Sequence, residues 1–174
     1  MSTRYPAELE TEIEHRGQRL RLRPMRPDDA ELISMASRQL APEDLRMRFF
    51  LPIPAISRER AAALAALDYD RNMAFLLFDG EELLGVVRLA IEADREQGEF
   101  AVIVASDRHR QGIGSLLIEH ILGYARSRGL KRVFGTVLRE NTGMLALVER
   151  LGFARNPGGS SGLDVRVIKD LPPL

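Results

Sequence analysis

Residues 99–126 read EFAVIVASDRHRQGIGSLLIEHILGYAR, and this stretch predicts a strand, a glycine-containing loop and a helix in succession. Residues 100–105 are an apolar run rich in Val and Ile, typical of a buried strand, and residues 116–125 repeat apolar residues at helical spacing. Gly112 and Gly114 let the backbone come close to a ligand, and the following helix offers unpaired N–H groups and the positive end of its dipole. The junction is therefore a candidate site for a diphosphate.

Two familiar nucleotide-binding loops do not fit this junction. A Rossmann dinucleotide site requires a third glycine, and Leu117 stands at that position. A nucleotide P-loop requires Gly-Lys-Ser or Gly-Lys-Thr, and neither tripeptide occurs in the chain. A different kind of diphosphate-binding loop is indicated.

Length and composition predict one globular domain spanning residues 1–174. The chain has 45% hydrophobic and 29% charged residues, which is enough to form an ordinary core. Its 25 basic residues balance 25 acidic ones, so no overall field attracts nucleic acid or an anionic membrane. We expect neither nucleic acid nor a membrane as a partner.

The residue types present also exclude several kinds of chemistry. The chain has no cysteine, which excludes disulfides, thiolate nucleophiles and cysteine-based zinc sites. Its histidines, His15, His109 and His120, form no ligand pair at i, i+4, so no metal site is expected. No apolar run approaches membrane-spanning length and the N-terminal residues lack a signal-peptide pattern, which predicts a cytoplasmic protein.

The rest of the chain predicts strands and helices on both sides of the central stretch. Helices are expected from residues 26, 42, 57 and 139, where proline, serine or asparagine can start them, and Asp79-Gly80 predicts a hairpin turn. Asn141 is expected to cap the last helix. Strands are expected at residues 10–13, 20–22, 73–78, 83–91, 131–137 and 163–168, with a flexible loop at 156–162.

Two motifs resemble signatures of the GNAT superfamily of N-acetyltransferases. Residues 108–115, RHRQGIGS, resemble its acetyl-CoA pyrophosphate loop, and residues 141–153, NTGMLALVERLGF, resemble its second signature. Several phrases are similar to the bacterial Pat family of protein lysine acetyltransferases, namely LRPMRPDD at 22–29, LRMRFF at 45–50, DYDR at 68–71 and EFAVIV at 99–104. The resemblance implies an α/β GNAT fold with a mixed, mostly antiparallel sheet flanked by helices.

The same resemblance implies a set of site residues. Glu99 matches the glutamate that removes a proton from the attacking lysine, directly or through water, and Glu140 is the second candidate for this base. Strand alternation places Glu99 on the face opposite Phe100 and Val102. The residues implied to bind acetyl-CoA are Val102, Ile103 and Val104 on the strand, Arg110, Gln111, Gly112, Gly114 and Ser115 in the loop, and Asn141 on the later helix.

Two residues depart from the general GNAT pattern. His109 stands where the loop commonly has Gln or Arg, which affects binding little because the contact is largely to the backbone. Val148 stands where many GNAT enzymes have a tyrosine that protonates the departing thiolate, so the sequence names no general acid. Without cysteine, direct transfer in a ternary complex is favoured over a covalent acetyl-cysteine enzyme.

The resemblance therefore implies transfer of acetyl from acetyl-CoA to the ε-amine of a protein lysine. The implied protein partner is an acyl-CoA synthetase such as acetyl-CoA synthetase. Two alternatives remain open, a small-molecule amine acetyltransferase, which should show a closed acidic or aromatic pocket, and a noncatalytic acetyl-CoA-binding module.

Overall fold

The computed structural model describes residues 4–156 and 162–173, and an eight-stranded sheet forms its centre. The strands lie in the order β1-β2-β3-β4-β5-β6-β8-β7, and every neighbouring pair is antiparallel except β5 and β6. The strands are β1 (Thr11–His15), β2 (Gln18–Pro24), β3 (Asn72–Asp79), β4 (Glu82–Ile91), β5 (Gln97–Val104), β6 (Arg132–Leu138), β7 (Ala154–Asn156) and β8 (Asp164–Asp170). The mixed, mostly antiparallel sheet predicted from the sequence is confirmed.

Helices cover both faces of this sheet. The α-helices are α1 (Ala30–Ser37), α2 (Pro42–Phe49), α3 (Arg58–Ala65), α4 (Ile113–Ser127) and α5 (Thr142–Arg150). Short 3₁₀ helices occupy Ala7–Leu9, Pro27–Asp29 and Ser106–Arg108.

Each face of the sheet has its own hydrophobic core. On one face, α4 buries Leu117, Ile118 and Ile121 completely, because these residues recur at three- and four-residue spacing on a single side of the helix. On the other face, Leu45 of α2 and the small Ala61 and Ala65 of α3 pack under the sheet without exposure to solvent. Strand β3 is buried on both sides, and it therefore lies between the two cores.

Local signals in the sequence start and end these elements as expected. Pro42 opens α2, the Ser57 hydroxyl accepts a hydrogen bond from the Arg60 N–H at the start of α3, and Gly129 follows α4 with a φ of +81°. Asn141 caps α5, since its Oδ1 accepts a hydrogen bond of 3.2 Å from the Met144 N–H.

The last part of the chain differs from the sequence prediction in one strand. Strand β7 was not predicted, because three residues after a helix carry no measurable alternation. The flexible loop expected at 156–162 falls mostly on residues outside the described ranges. Within those ranges, none of the helices combines the length and apolar character needed to cross a bilayer.

Candidate active site

A cleft of about 870 Å³ opens where β5 and β6 separate. The two strands pair only from Gln97 to Glu99, against Arg132–Phe134, after which β6 continues along β8 and β5 continues along β4. The ring of Phe100 fills the start of the gap, since a Cβ added to Gly135 would lie 2.4 Å from its Cε1 atom. Glycine at position 135 therefore gives this ring its place at the point of separation.

The separation leaves backbone groups of β5 facing the cleft. The Ala105 N–H donates to the Leu84 carbonyl of β4. Because backbone groups alternate in direction along an antiparallel strand, Ile103, two residues earlier, also directs its N–H and C=O groups at β4. Val102 and Val104 direct theirs to the opposite side, where β6 provides no ladder partner beyond Phe134. Their N–H groups can donate to an oxyanion, whereas Ile103 contributes its side chain to the cleft lining.

Glu99 lies at the point of separation, on the last residue of β5 that pairs with β6. Its side chain is exposed and lines the cleft, and Phe100, the next residue, is buried on the opposite face of the strand. This arrangement follows the alternation predicted from the sequence. A carboxylate here can accept a proton from an amine that enters the cleft, directly or through a water molecule.

The loop before α4 exposes a group of unpaired amides to the same cleft. Gly112 adopts a φ of +79° as the N-cap residue, and the first intrahelical bond runs from the Leu116 N–H to the Gly112 carbonyl. The N–H groups of Gly114 and Ser115, in the first turn, are consequently not used within the helix. Together with the dipole of a 15-residue helix, these amides favour a diphosphate.

Contacts from distant parts of the chain hold this loop in place. His15, the last residue of β1, donates from Nε2 to the Gln111 carbonyl at 2.7 Å. The Ser106 hydroxyl donates to Asp44 of α2 at 2.5 Å and accepts from the Ala41 N–H at 2.8 Å. Sequence reasoning missed these contacts, because the partners lie between 62 and 96 residues apart.

The residues predicted to form the site lie together with one exception. The lining of the cleft includes Glu99, Val102, Ile103, Val104, Arg110, Gly112, Gly114, Ser115 and Asn141. Gln111 is absent from the lining, and its carbonyl is the one that accepts from His15.

Glu140, the second candidate base, is bound elsewhere. Its carboxylate accepts a hydrogen bond of 2.5 Å from Arg46 of α2, and this bond lowers the pKa of Glu140 below its ordinary value. A carboxylate that is held ionised by a guanidinium is a weaker base, and Glu140 does not line the cleft. The geometry therefore favours Glu99.

The structure offers no phenol to the reacting groups. Val148 is fully buried in the core beneath α5. The chain's three tyrosines, Tyr5, Tyr69 and Tyr124, all fall within the described ranges, and none of them lines the cleft. Among residues 4–156 and 162–173, no group of three or more His, Cys, Asp or Glu side chains is placed to hold a metal ion.

Three arginines line the cleft on the Glu99 side. Arg48 belongs to α2, Arg60 to α3 and Arg88 to β4, where Arg88 pairs with Ala101 two positions beyond Glu99. They were not predicted from the sequence, since they come from three separate elements. One signal was available, because Arg88 is the only charged residue in the otherwise apolar run from 83 to 91.

Comparison with known proteins agrees with this geometry. The Acetyltransferase (GNAT) family matches residues 41–153. An acetyltransferase of Pseudomonas aeruginosa is 30% identical over 151 residues, which cover 83% of this chain and 81% of that protein. The crystal structure of the GNAT domain of S. lividans PAT superimposes with a TM-score of 0.89 at 28% identity, covering 97% of this chain and 100% of that domain.

A more distant structure shares the fold. Spermidine N-acetyltransferase from Vibrio cholerae, solved with CoA and spermine, has a TM-score of 0.71 at 22% identity, covering 87% of this chain and 95% of that one. The chain belongs to the GNAT family and is an acetyl-CoA-dependent acetyltransferase.

Proposed function

We propose that the protein transfers acetyl from acetyl-CoA to the ε-amine of a lysine in a protein, and that Glu99 is the base. The observation that carries this proposal is the position of Glu99, which is exposed at the point where β5 leaves β6 and adjoins the free β5 edge. The similarity to the GNAT domain of S. lividans PAT over nearly the whole chain supports the same acceptor class. The cytoplasm, where acetyl-CoA is made and used, is the proposed compartment.

The cleft supplies what each step of direct transfer needs. A lysine has a reference pKa of about 10.4, so its ammonium must lose a proton before the nitrogen attacks. Glu99 accepts this proton, the nitrogen bonds to the thioester carbon, and the N–H of Val102 or Val104 donates to the carbonyl oxygen as it becomes negative. The C–S bond then breaks as the nitrogen loses its second proton, and the departing CoA thiolate takes up a proton from solvent. Glu99 releases the first proton to solvent, so one proton is set free for each acetyl group transferred.

The proposed protein partner is an acyl-CoA synthetase, as the Pat resemblance implies. Acetylation of its catalytic lysine would inactivate it. The experiment is transfer of labelled acetyl to a purified acyl-CoA synthetase, followed by mapping of the modified lysine. Glu99→Gln is compared with Glu140→Gln and with Glu119→Gln, an exposed glutamate on α4 outside the cleft.

We expect only Glu99→Gln to lose transfer, by roughly 10²–10⁴-fold, the range for a general base. Its affinity for acetyl-CoA should be unchanged, and its rate should recover at high pH as more acceptor amine becomes neutral. Equal rates for wild type and Glu99→Gln would refute the assignment of the base. If acetyl-CoA binds and no protein lysine is labelled while a small amine is, the acceptor is a small molecule. Binding without any transfer would leave a noncatalytic acetyl-CoA-binding module.

A further inference from the structure

The arginine cluster, defined as Arg48, Arg60 and Arg88, surrounds the acceptor side of the cleft. The guanidinium carbons of Arg48 and Arg60 each lie 4.6 Å from the centroid of the Phe49 ring, which fixes both groups by cation–π contacts. Arg88 is fixed separately, since its Nη1 donates to the Leu64 carbonyl at 2.8 Å. The three positive groups are therefore held in position at the cleft wall.

The cluster lacks the carboxylate partners that other arginines in this protein have. Arg23, Arg46, Arg108 and Arg128 each form an ion pair with an aspartate or glutamate. Among residues 4–156 and 162–173, no carboxylate oxygen lies within 4.0 Å of a guanidinium nitrogen of the cluster. Three positive charges therefore share the acceptor side of the cleft with the carboxylate of Glu99.

The groups of the cluster are close enough to influence one another. Burial, with the neighbouring charges of Arg88 and Arg60, lowers the pKa of Arg48 to about 10, and the Glu99 carboxylate partly opposes this shift. Three guanidinium groups outnumber the one carboxylate of Glu99, so the acceptor side has a positive potential. Such a potential disfavours a polycation such as a polyamine and favours the neutral form of an incoming amine.

We propose that the arginine cluster is a subsite that binds a carboxylate next to the acceptor lysine, which rests on the proposed protein-lysine function. Glu99 pairs with Ala90 on β4, and Arg88 lies two residues away on the same face. Such diagonal neighbours are about 7–8 Å apart. An extended peptide spans about 3.3–3.6 Å per residue, so an Asp or Glu within about two positions of the lysine reaches the cluster while the amine reaches Glu99.

The test uses pairs of peptides with a single lysine. In each pair, one peptide has Asp and the other Asn at the same position, one or two residues before or after the lysine. The kcat/KM ratio of Asp to Asn peptide is measured for wild type, Arg60→Gln and Arg88→Gln. Arg58→Gln is the matched control, because Arg58 is an exposed arginine on the same helix as Arg60 and lies outside the cleft lining.

For at least one peptide position, we expect the kcat/KM ratio of Asp to Asn peptide to be about ten or more in wild type and in Arg58→Gln. This is the effect of one charge-assisted hydrogen bond. The ratio should approach one in Arg60→Gln and Arg88→Gln, and it should fall with added salt. Arg60 is exposed, so its replacement tests the subsite even if loss of the half-buried Arg88 unfolds the protein.

The outcomes separate this inference from the proposed function. If wild type acetylates the lysine peptides with equal kcat/KM for Asp and Asn at every position, the subsite is refuted and the function stands. A preference that survives in Arg60→Gln and in folded Arg88→Gln also refutes it. If neither the peptides nor the synthetase are labelled while spermidine is, the proposed function fails and the subsite fails with it.

Discussion

Replacing Asp29 by asparagine should destabilise the protein more than any exposed charge substitution. Asp29 and Arg23 form two hydrogen bonds of 2.8 Å, and the side chains of both are only 7% exposed. Asp29 also accepts from the Arg26 N–H at 2.6 Å, and Arg23 lies 5.0 Å from the centroid of the Phe78 ring. The pair joins β2 to the start of α1. The helices that follow α1, namely α2 and α3, contribute residues to the acceptor side of the cleft.

The size of the effect follows from what remains after the substitution. The asparagine side chain has nearly the same volume as the aspartate but no charge, so the Arg23 guanidinium stays buried without a counterion. Removing one partner of a buried pair costs about 3–5 kcal/mol. For a chain of this length each kcal/mol shifts the Tm by about 2–4 °C, so the expected decrease is about 6–20 °C.

Urea unfolding and thermal unfolding measure this difference. Asp170→Asn is the control, since it removes the carboxylate of an exposed pair with Arg132 and should change the free energy of unfolding by less than about 0.5 kcal/mol. The double variant Arg23→Met, Asp29→Leu should recover part of the loss, because no charge is then buried. A free energy of unfolding for Asp29→Asn within about 1 kcal/mol of wild type would show that the pair does not hold this junction.

The same pair predicts how stability depends on pH. Burial by itself raises the pKa of Asp29, but hydrogen bonds from the Arg23 side chain and the Arg26 backbone outweigh it, so the net pKa is lowered. A carboxyl with a lower pKa in the folded state stabilises that state fully above its unfolded pKa of about 3.9. This contribution is lost as the pH falls through the folded pKa, and Asp29→Asn should lack that part of the acid dependence.

Three further substitutions test the supports of the cleft. His15→Ala should weaken acetyl-CoA binding by about 2–10-fold in calorimetric titration, the effect of one hydrogen bond, whereas Arg19→Ala on the same hairpin should not. Gly135→Ala should cost about 1–3 kcal/mol in urea unfolding by overpacking, and Gly123→Ala, in an open helical position, should stabilise by up to about 1 kcal/mol. Asn141→Ala should cost about 1 kcal/mol by removing the cap of α5, and Asn141→Asp should restore most of it.

The half of the cleft that faces the pyrophosphate loop could be predicted because its determinants are local. A β-rich run, two glycines and an apolar helix lie within residues 99–126, and backbone geometry alone brings their amides together. The capping role of Asn141 is equally local and was predicted correctly. Contacts such as His15 with Gln111 depend on how the sheet brings distant turns together, and no periodicity in the sequence encodes that distance.

The arginines on the acceptor side could not be predicted, because they come from three elements. Arg48 and Arg60 meet over the ring of Phe49, the last residue of α2. Arg88 joins them from β4, where it lies opposite Ala101 of β5. The wall on this side includes the aromatic ring of Phe49 as well as the three arginines and Glu99.

The two halves of the cleft differ in how tightly their residues are packed. A substitution therefore has different effects in each half. Gly112 and Gly114 are fixed by backbone conformation and close packing, since a Cβ on Gly112 would lie 3.1 Å from His15 and one on Gly114 3.0 Å from Leu147. A Cβ at either position would press on these side chains beside the amides that face the diphosphate. Arg60, in contrast, is exposed on a short helix and is fixed only at its tip by Phe49. Charge preference for the acceptor can therefore change through such side chains while the geometry for acetyl-CoA stays as it is.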